Sequence, residues 1–298
     1  MNYKTYKELN IDKISKRYDS KGFVVVKNFF SSNELGKIDQ TLNNIILSIS
    51  KDKRFKDIKD LNTLNFTKLF SELKNNKPKV AGAIYDSIQI STNLQSLLLS
   101  KKIIYFISKI LDINDTKILN FFRTMRLDLP VKNHHLLSWH QDFMHSSKRN
   151  LNYNRGITIW APLINVNKSV GSMKLCVSSH KKRFNIKLNK RINHNSSEYL
   201  TIEGKQLKNF KKQIIKCNRG DVVFMNMNCV HSSVQGKLNL IRRTIIYGII
   251  IWILIPNNKL TAIRTSINNF IYRNIIYIAI ISIIKRSIRI FITGLEIK

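Results

Sequence analysis

The chain has 298 residues, and its 51 Lys and Arg against 18 Asp and Glu give a formal net charge of +33. This length can bury a substantial core and fits one barrel or sandwich domain as well as two smaller domains; we predict one. So positive a chain attracts nucleic acid, anionic lipid or anionic small molecules. However, its basic residues are scattered without an Arg-rich or aromatic-interleaved tract, which argues against nucleic-acid binding as the main function.

The N-terminus and the cysteines point to a reducing compartment. Residues 1–7 lack the apolar segment of a signal peptide. Cys176, Cys217 and Cys229 show no paired spacing of a disulfide framework or a zinc knuckle. We therefore expect a cytoplasmic protein.

A strand and a helix are predicted at the start of the fold. Residues 22–30 are rich in β-branched and aromatic side chains, which favours a strand. Ser31 and Glu34 then have the spacing of a helix capping box, and apolar residues follow at helical intervals. Residues 51–119 are predicted to be mostly helical. Two segments, 61–73 and 94–111, should be separated by a polar break at 74–78.

Residues 121–128 alternate as in a strand, which puts Thr124, Arg126 and Asp128 on one face. A His-x-Asp pair follows, and His140 and Asp142 would share a face of an extended chain. A further histidine, His231, lies 91 positions downstream. Two neutral imidazoles and one carboxylate are the ligands of non-haem iron(II) oxygenases, although an isolated His-x-Asp also occurs in ordinary turns and ion pairs.

The His140 and Asp142 pair is accompanied by several further short sequence segments that match a known family in the same order. The sequence resembles the phytanoyl-CoA dioxygenase family of iron(II)- and 2-oxoglutarate-dependent oxygenases, from about Tyr18 to about Tyr247. The matching segments are 139–142, 159–163, 170–174, 178–181, 220–224, His231 and Arg242.

The resemblance implies a metal centre and a co-substrate site. His140, Asp142 and His231 would hold iron(II), with positions left for 2-oxoglutarate and dioxygen. The presence of Asp142 argues against a halogenase, whose site gives up the carboxylate to make room for halide.

Four further residues are expected around the co-substrate. Arg242 would bind the far carboxylate of 2-oxoglutarate, and its neighbour Arg243 would point to the other side of the strand. Ser233 matches a family hydroxyl that bonds the same carboxylate. Trp160 would lie beside the co-substrate, with core packing as its alternative. Arg126 is a candidate for binding an anionic group, with a surface or ion-paired arginine as its alternative.

The chain departs from the family at residues 177–180, where Val-Ser-Ser-His replaces Pro-Gly-Ser-His. This should alter a turn without touching the metal, and His180 is expected to be structural. His134 and His135 are expected to be solvated. Residues 143–155 and the insertion at 184–207, which shows no clear period, are expected over the active-site opening.

The C-terminal region contains two apolar runs, each shorter than the roughly 20 residues of a spanning helix. Residues 245–255 are predicted to form a buried strand. Residues 275–284, with basic residues after them, could form an interfacial membrane helix, a docking helix or a dimer contact. We place the catalytic domain at 1–256 and a tail at 257–298.

The predicted fold is mainly β with flanking α-helices around a double-stranded β-helix (jelly-roll, cupin-like) core, an assignment that rests on the resemblance. The predicted function is hydroxylation of a small organic substrate, with release of succinate and carbon dioxide; the positive charge favours an anionic substrate. Lys, Asn and Ile share A/T-rich codons, so genome composition is another origin for that charge. Two alternatives stay open: a catalytically silent jelly-roll binding module, and a basic membrane-associated protein.

Overall fold

The structure, a computed structural model, describes residues 10–130, 136–142, 156–190 and 198–251. The chain divides into two units, Met1–Trp252 and Ile253–Lys298. The second unit, with its predicted membrane or dimer helix, lies outside the described residues. The domain boundary placed at 256 therefore stays a prediction.

Six helices and ten strands lie in the described residues, in an order that puts most helices before most strands. The helices are α1 (Ile11–Lys21), α2 (Ser32–Ser50), α3 (Leu64–Asn76), α4 (Pro78–Gln89), α5 (Thr92–Leu98) and α6 (Lys101–Leu111). The strands are β1 (Phe23–Val26), β2 (Ile118–Asp128), β3 (Ile157–Pro162), β4 (Gly171–Cys176), β5 (Ile186–Lys190), β6 (Glu198–Ile202), β7 (Lys212–Ile214), β8 (Val222–Asn226), β9 (His231–Gln235) and β10 (Arg242–Ile251). None of the described helices is long and apolar enough to cross a membrane.

Two antiparallel sheets form the core of the first unit. The larger sheet has the order β1-β8-β3-β10-β2, and the smaller has the order β7-β4-β9. Strands β5 and β6 pair separately as a hairpin. Neighbouring strands are far apart in the chain, so the sheets depend on long-range pairing.

The larger sheet is buried on both faces, which explains its long apolar runs. In β8, Val222 and Phe224 belong to a core shared with the helices. Val223 and Met225 belong to a second core shared with the smaller sheet. The helices therefore cover one face, and the space between the two sheets is left for the site.

The local predictions for the N-terminal half are partly confirmed. Ser31 and Glu34 form the expected capping box at the start of α2. Strand β1 ends at Val26, before the predicted limit at residue 30, and Asn28 has a left-handed backbone with φ of 49°. This turn redirects the chain into the helix, which shortens the strand.

Two other predictions were incomplete. The predicted break at 74–78 is narrow, because Pro78 begins α4; proline suits the first helical position, where no N–H is needed. The predicted helix at 94–111 is two helices, α5 and α6, that meet around Ser100. The insertion at 184–207 contains the β5–β6 hairpin, which its irregular polar sequence did not indicate.

Candidate active site

The two predicted metal histidines lie side by side between the sheets. His231 begins β9, and His140 pairs with it through an isolated antiparallel bridge. The backbone N–H of each residue donates to the carbonyl of the other, both at 2.9 Å. This pairing brings together two residues from distant parts of the chain and places their ring centroids 4.1 Å apart.

Asp142 completes the cluster. Its Oδ1 lies 3.6 Å from Nε2 of His140 and 3.5 Å from Nε2 of His231. One ligand atom from each of the three residues falls within 4.8 Å of the others. The structure thus brings the three predicted ligands to a single point.

Backbone contacts set the protonation of both rings. Nδ1 of His140 lies 2.7 Å from the carbonyl oxygen of Ser138, and Nδ1 of His231 lies 3.0 Å from that of Cys229. Because a carbonyl oxygen only accepts, each Nδ1 carries the hydrogen and donates it. Nε2 is therefore the ring nitrogen left on the side of Asp142, and in a neutral ring its lone pair is the one that binds a metal.

Thr158 on β3 orients the carboxylate. Its hydroxyl donates to Oδ2 of Asp142 at 2.6 Å, so Oδ1 is the oxygen turned towards the rings. The donor set is two imidazole nitrogens and one carboxylate oxygen, and the backbone and Thr158 hold all three in place. This set fits iron(II) bound on one face, with the opposite positions open.

A cavity of about 60 Å³ adjoins the cluster, and all four predicted co-substrate residues line it. Both sheets contribute to its lining. The predicted residues found there are Arg126, Trp160, Ser233 and Arg242.

Arg242 is 9% exposed and already has protein partners in this cavity. Its Nε and Nη2 donate to Oδ2 of Asp128 at 3.2 and 2.7 Å, and its Nη1 donates to the carbonyl of Ser172 at 3.0 Å. A guanidinium has five N–H donors, so one donor remains on each terminal nitrogen. These two donors suit a carboxylate, which the predicted co-substrate carries.

Asp128 joins two arginines, a role that the sequence did not assign to it. Its Oδ1 accepts from Arg126 at 2.8 Å, while Oδ2 accepts from Arg242. Burial alone would raise the pKa of Asp128, but the two guanidinium groups outweigh burial and hold that pKa below its usual value. Arg126 is thus ion-paired and also lines the cavity. Its place on the same strand face as Asp128 was the signal that could have linked them.

Ser233 and Trp160 both line the cavity. The Ser233 hydroxyl oxygen accepts from the backbone N–H of Leu137 at 3.1 Å, which leaves its own hydrogen to donate. Trp160 is buried and also packs in the core between the sheets. Its position is therefore compatible with both of its predicted roles.

Arg243 lies on the opposite face of β10, as the strand alternation predicted. It is fully buried, with an ion pair to Asp39 and a hydrogen bond from Nη2 to Asn62 at 2.7 Å. Asp39 also pairs with Arg219 at 2.8 Å. This network ties α2 to the larger sheet, away from the cavity.

Of the remaining histidines, only His180 lies in the described residues. Its Nε2 is 3.0 Å from the carbonyl oxygen of Asp19, and its ring packs against Gly22. Burial lowers the pKa of His180. It is outside the cluster, as predicted, whereas His134, His135, His145 and His194 lie outside the described residues.

Comparison with known folds gives consistent matches at low sequence identity. The epimerase SnoN in complex with Fe3+, alpha ketoglutarate and nogalamycin RO has a TM-score of 0.53 and 13% identity, covering 81% of this chain and 83% of its own. The apo non-heme monooxygenase ThoJ has a TM-score of 0.52 and 13% identity, covering 80% and 77%. EctD from S. alaskensis with bound Fe has a TM-score of 0.51 and 14% identity, covering 80% and 76%.

These likenesses confirm the predicted fold, mainly antiparallel sheets around a double-stranded β-helix core with flanking helices. A search of curated proteins gives no match. The family model for phytanoyl-CoA dioxygenase (PhyH) matches residues 18–243, which is most of the chain. The chain therefore belongs to the phytanoyl-CoA dioxygenase family and is a non-haem iron(II)- and 2-oxoglutarate-dependent oxygenase.

Proposed function

We propose that this oxygenase hydroxylates a small organic substrate and releases succinate and carbon dioxide, with His140, Asp142 and His231 as its iron ligands. The observation that carries the proposal is the convergence of one ligand atom from each of these three residues within 4.8 Å. Iron(II) with 2-oxoglutarate and dioxygen supplies the oxidising power, and each turnover converts one 2-oxoglutarate to succinate.

The protein's own groups bind and orient the reactants. The carbonyls of Ser138 and Cys229 accept from Nδ1 of the two histidines and so orient both rings with Nε2 on the side of Asp142. Thr158 fixes the carboxylate of Asp142. These contacts define the geometry in advance, which avoids a reorganisation cost during the reaction.

Arg242 is proposed to bind the far carboxylate of 2-oxoglutarate, with the hydroxyl of Ser233 as a further donor. Arg242 is buried, and its contacts to Asp128 and Ser172 hold the guanidinium in one orientation. A planar guanidinium can donate two parallel hydrogen bonds to a carboxylate. Trp160 and Met173 restrict water around the same cavity.

We propose a cytoplasmic location because the cysteines are buried and not paired in disulfides. Cys176, Cys217 and Cys229 are all buried and free. Burial raises the pKa of both Cys217 and Cys229 to about 12, so these thiols stay protonated and unreactive. Buried, unpaired thiols are typical of a reducing compartment.

The test is succinate release from 2-oxoglutarate by purified, iron-loaded protein across a panel of organic substrates. His140→Ala and Asp142→Ala should abolish release. Two matched controls should retain it: Asp86→Ala, an exposed aspartate on α4, and His180→Ala, outside the cluster. Protein that binds no iron and never forms succinate would instead favour a catalytically silent binding module.

A further inference from the structure

A second and larger cavity lies beside the catalytic one. Its volume is about 490 Å³, within the range of cavities that hold small organic ligands. It is bounded by α3 and α4 on one side and by the end of β2 on the other. Its apolar lining includes Phe70, Pro78, Tyr85 and Leu127.

The β2 side of this cavity is a sheet edge within the described part of the chain, where β2 is the last strand of the larger sheet. The Gln89 side chain satisfies one position of that edge: its Nε2 donates to the carbonyl of Met125 at 2.9 Å, and its Oε1 accepts the N–H of Met125 at 2.7 Å. Backbone groups of alternate residues in a strand point the same way. The N–H and C=O of Leu127 therefore also face outward at the cavity, and no hydrogen bond joins them to a described residue.

Cationic side chains flank the same cavity. Lys74 lines it, is half-buried, and has no ion pair within the described part of the chain. Burial lowers the pKa of Lys74, and the negative charge of Asp128 only partly opposes this. A half-buried ammonium without a direct partner favours an anionic ligand.

Arg126 connects the two cavities. It and Asp128 line both of them, so a ligand in the larger cavity would reach the wall of the catalytic one. Both oxygens of Asp128 are occupied by arginines, so this carboxylate is already neutralised. The charge left to meet a ligand is therefore positive.

We infer that the larger cavity anchors the substrate, and that this substrate is an organic acid with an apolar body. Its anionic group would accept from Lys74 and from the backbone N–H of Leu127, and its body would pack on Phe70 and Tyr85. As an assignment of the substrate class, this inference rests on the proposed oxygenase function. Ligand binding at the cavity can nevertheless be measured without iron or turnover.

The test uses 2-naphthoate and its uncharged analogue 2-naphthalenemethanol, titrated calorimetrically into the iron-free full-length chain. Lys74→Gln removes the charge and keeps most of the side chain. Gly82→Leu fills the cavity from α4, where an added Cβ meets no atom within 4 Å. Gly36→Leu is the matched control, because Gly36 is an exposed glycine of α2 with equally open space and lies outside the cavity lining.

The expected result is that the parent and Gly36→Leu bind naphthoate more tightly than the alcohol. Lys74→Gln should weaken naphthoate binding about tenfold, as expected for the loss of one charge-assisted hydrogen bond, with little effect on the alcohol. Gly82→Leu should abolish binding of both compounds. Absence of naphthoate binding by the parent, or equal affinity in the parent, Lys74→Gln and Gly82→Leu, would overturn the inference, whether or not the protein makes succinate.

Discussion

Two adjacent arginines of β10 should separate co-substrate binding from stability. Arg242→Gln removes a guanidinium that lines the catalytic cavity and keeps one N–H without a protein partner on each terminal nitrogen. Two charge-assisted hydrogen bonds lost to a carboxylate are worth about 3 kcal/mol, so KM for 2-oxoglutarate should rise about 100-fold. The melting temperature should fall less than in Arg243→Gln, because Arg242 borders the cavity whereas Arg243 is fully buried, and Asp128 keeps its ion pair with Arg126.

Arg243→Gln should lower stability and leave co-substrate binding unchanged. It removes a fully buried guanidinium and its ion pair with Asp39, although Asp39 keeps Arg219. Breaking a buried pair from one side costs about 3 kcal/mol at the low end of the usual range. For a domain of this size that corresponds to a melting temperature lower by about 10 °C. KM for 2-oxoglutarate should stay near the parent value.

The assays are succinate release against 2-oxoglutarate concentration and thermal unfolding followed by circular dichroism. Arg183→Gln serves as control, because Arg183 is exposed and lines neither cavity. A raised KM in the Arg243 variant together with an unchanged KM in the Arg242 variant would refute the assignment of the two faces. So would a large stability loss confined to the Arg242 variant.

Three further perturbations follow from single contacts. Thr158→Val removes the hydroxyl that orients Asp142, so the dissociation constant for iron(II) should rise about 10- to 100-fold. Competition with a chelator measures this constant. Thr158→Ser keeps the hydroxyl and should stay near the parent value. Because the folded pKa of Asp128 is below its ordinary value of 3.8, its stabilising contribution is present above that value and is lost as the pH falls through the folded pKa. Urea denaturation at a series of pH values should therefore show that Asp128→Asn is destabilised at neutral pH and converges with the parent in acid; a constant difference would contradict the linkage. Gln89→Leu leaves the backbone N–H and C=O of Met125 without their side-chain partner, which should cost about 1–3 kcal/mol. The uncapped edge of β2 should also promote association between chains. An unchanged melting temperature and sedimentation profile would contradict the capping role of Gln89.

The sequence predicted which residues form the site better than it predicted the contacts that hold those residues in place. The His140 and Asp142 pair, His231 and Arg242 were identified because their residue types and order resemble a known family. Strand alternation separated Arg242 from Arg243 without any knowledge of the fold. The iron-ligand roles themselves stay predictions, although the structure brings the three side chains together.

The supporting contacts depend on partners that are distant in sequence. Asp128 meets Arg242 only because β2 and β10 pair in one register. Thr158 and Asp142 are 16 positions apart, and no local sequence pattern predicts their hydrogen bond. The β5–β6 hairpin was missed for a different reason: its two strands are only five residues long each, and the polar segment around them shows no sustained period.

The central claim is that His140, Asp142 and His231 together hold one iron ion. The most direct measurement is anaerobic titration of the full-length protein with iron(II) in the presence of 2-oxoglutarate, followed by metal analysis after desalting. We predict one tightly bound iron per chain in the parent and in His180→Ala, and none retained in His140→Ala, Asp142→Ala or His231→Ala. Full retention of iron by His140→Ala, Asp142→Ala or His231→Ala would contradict the account.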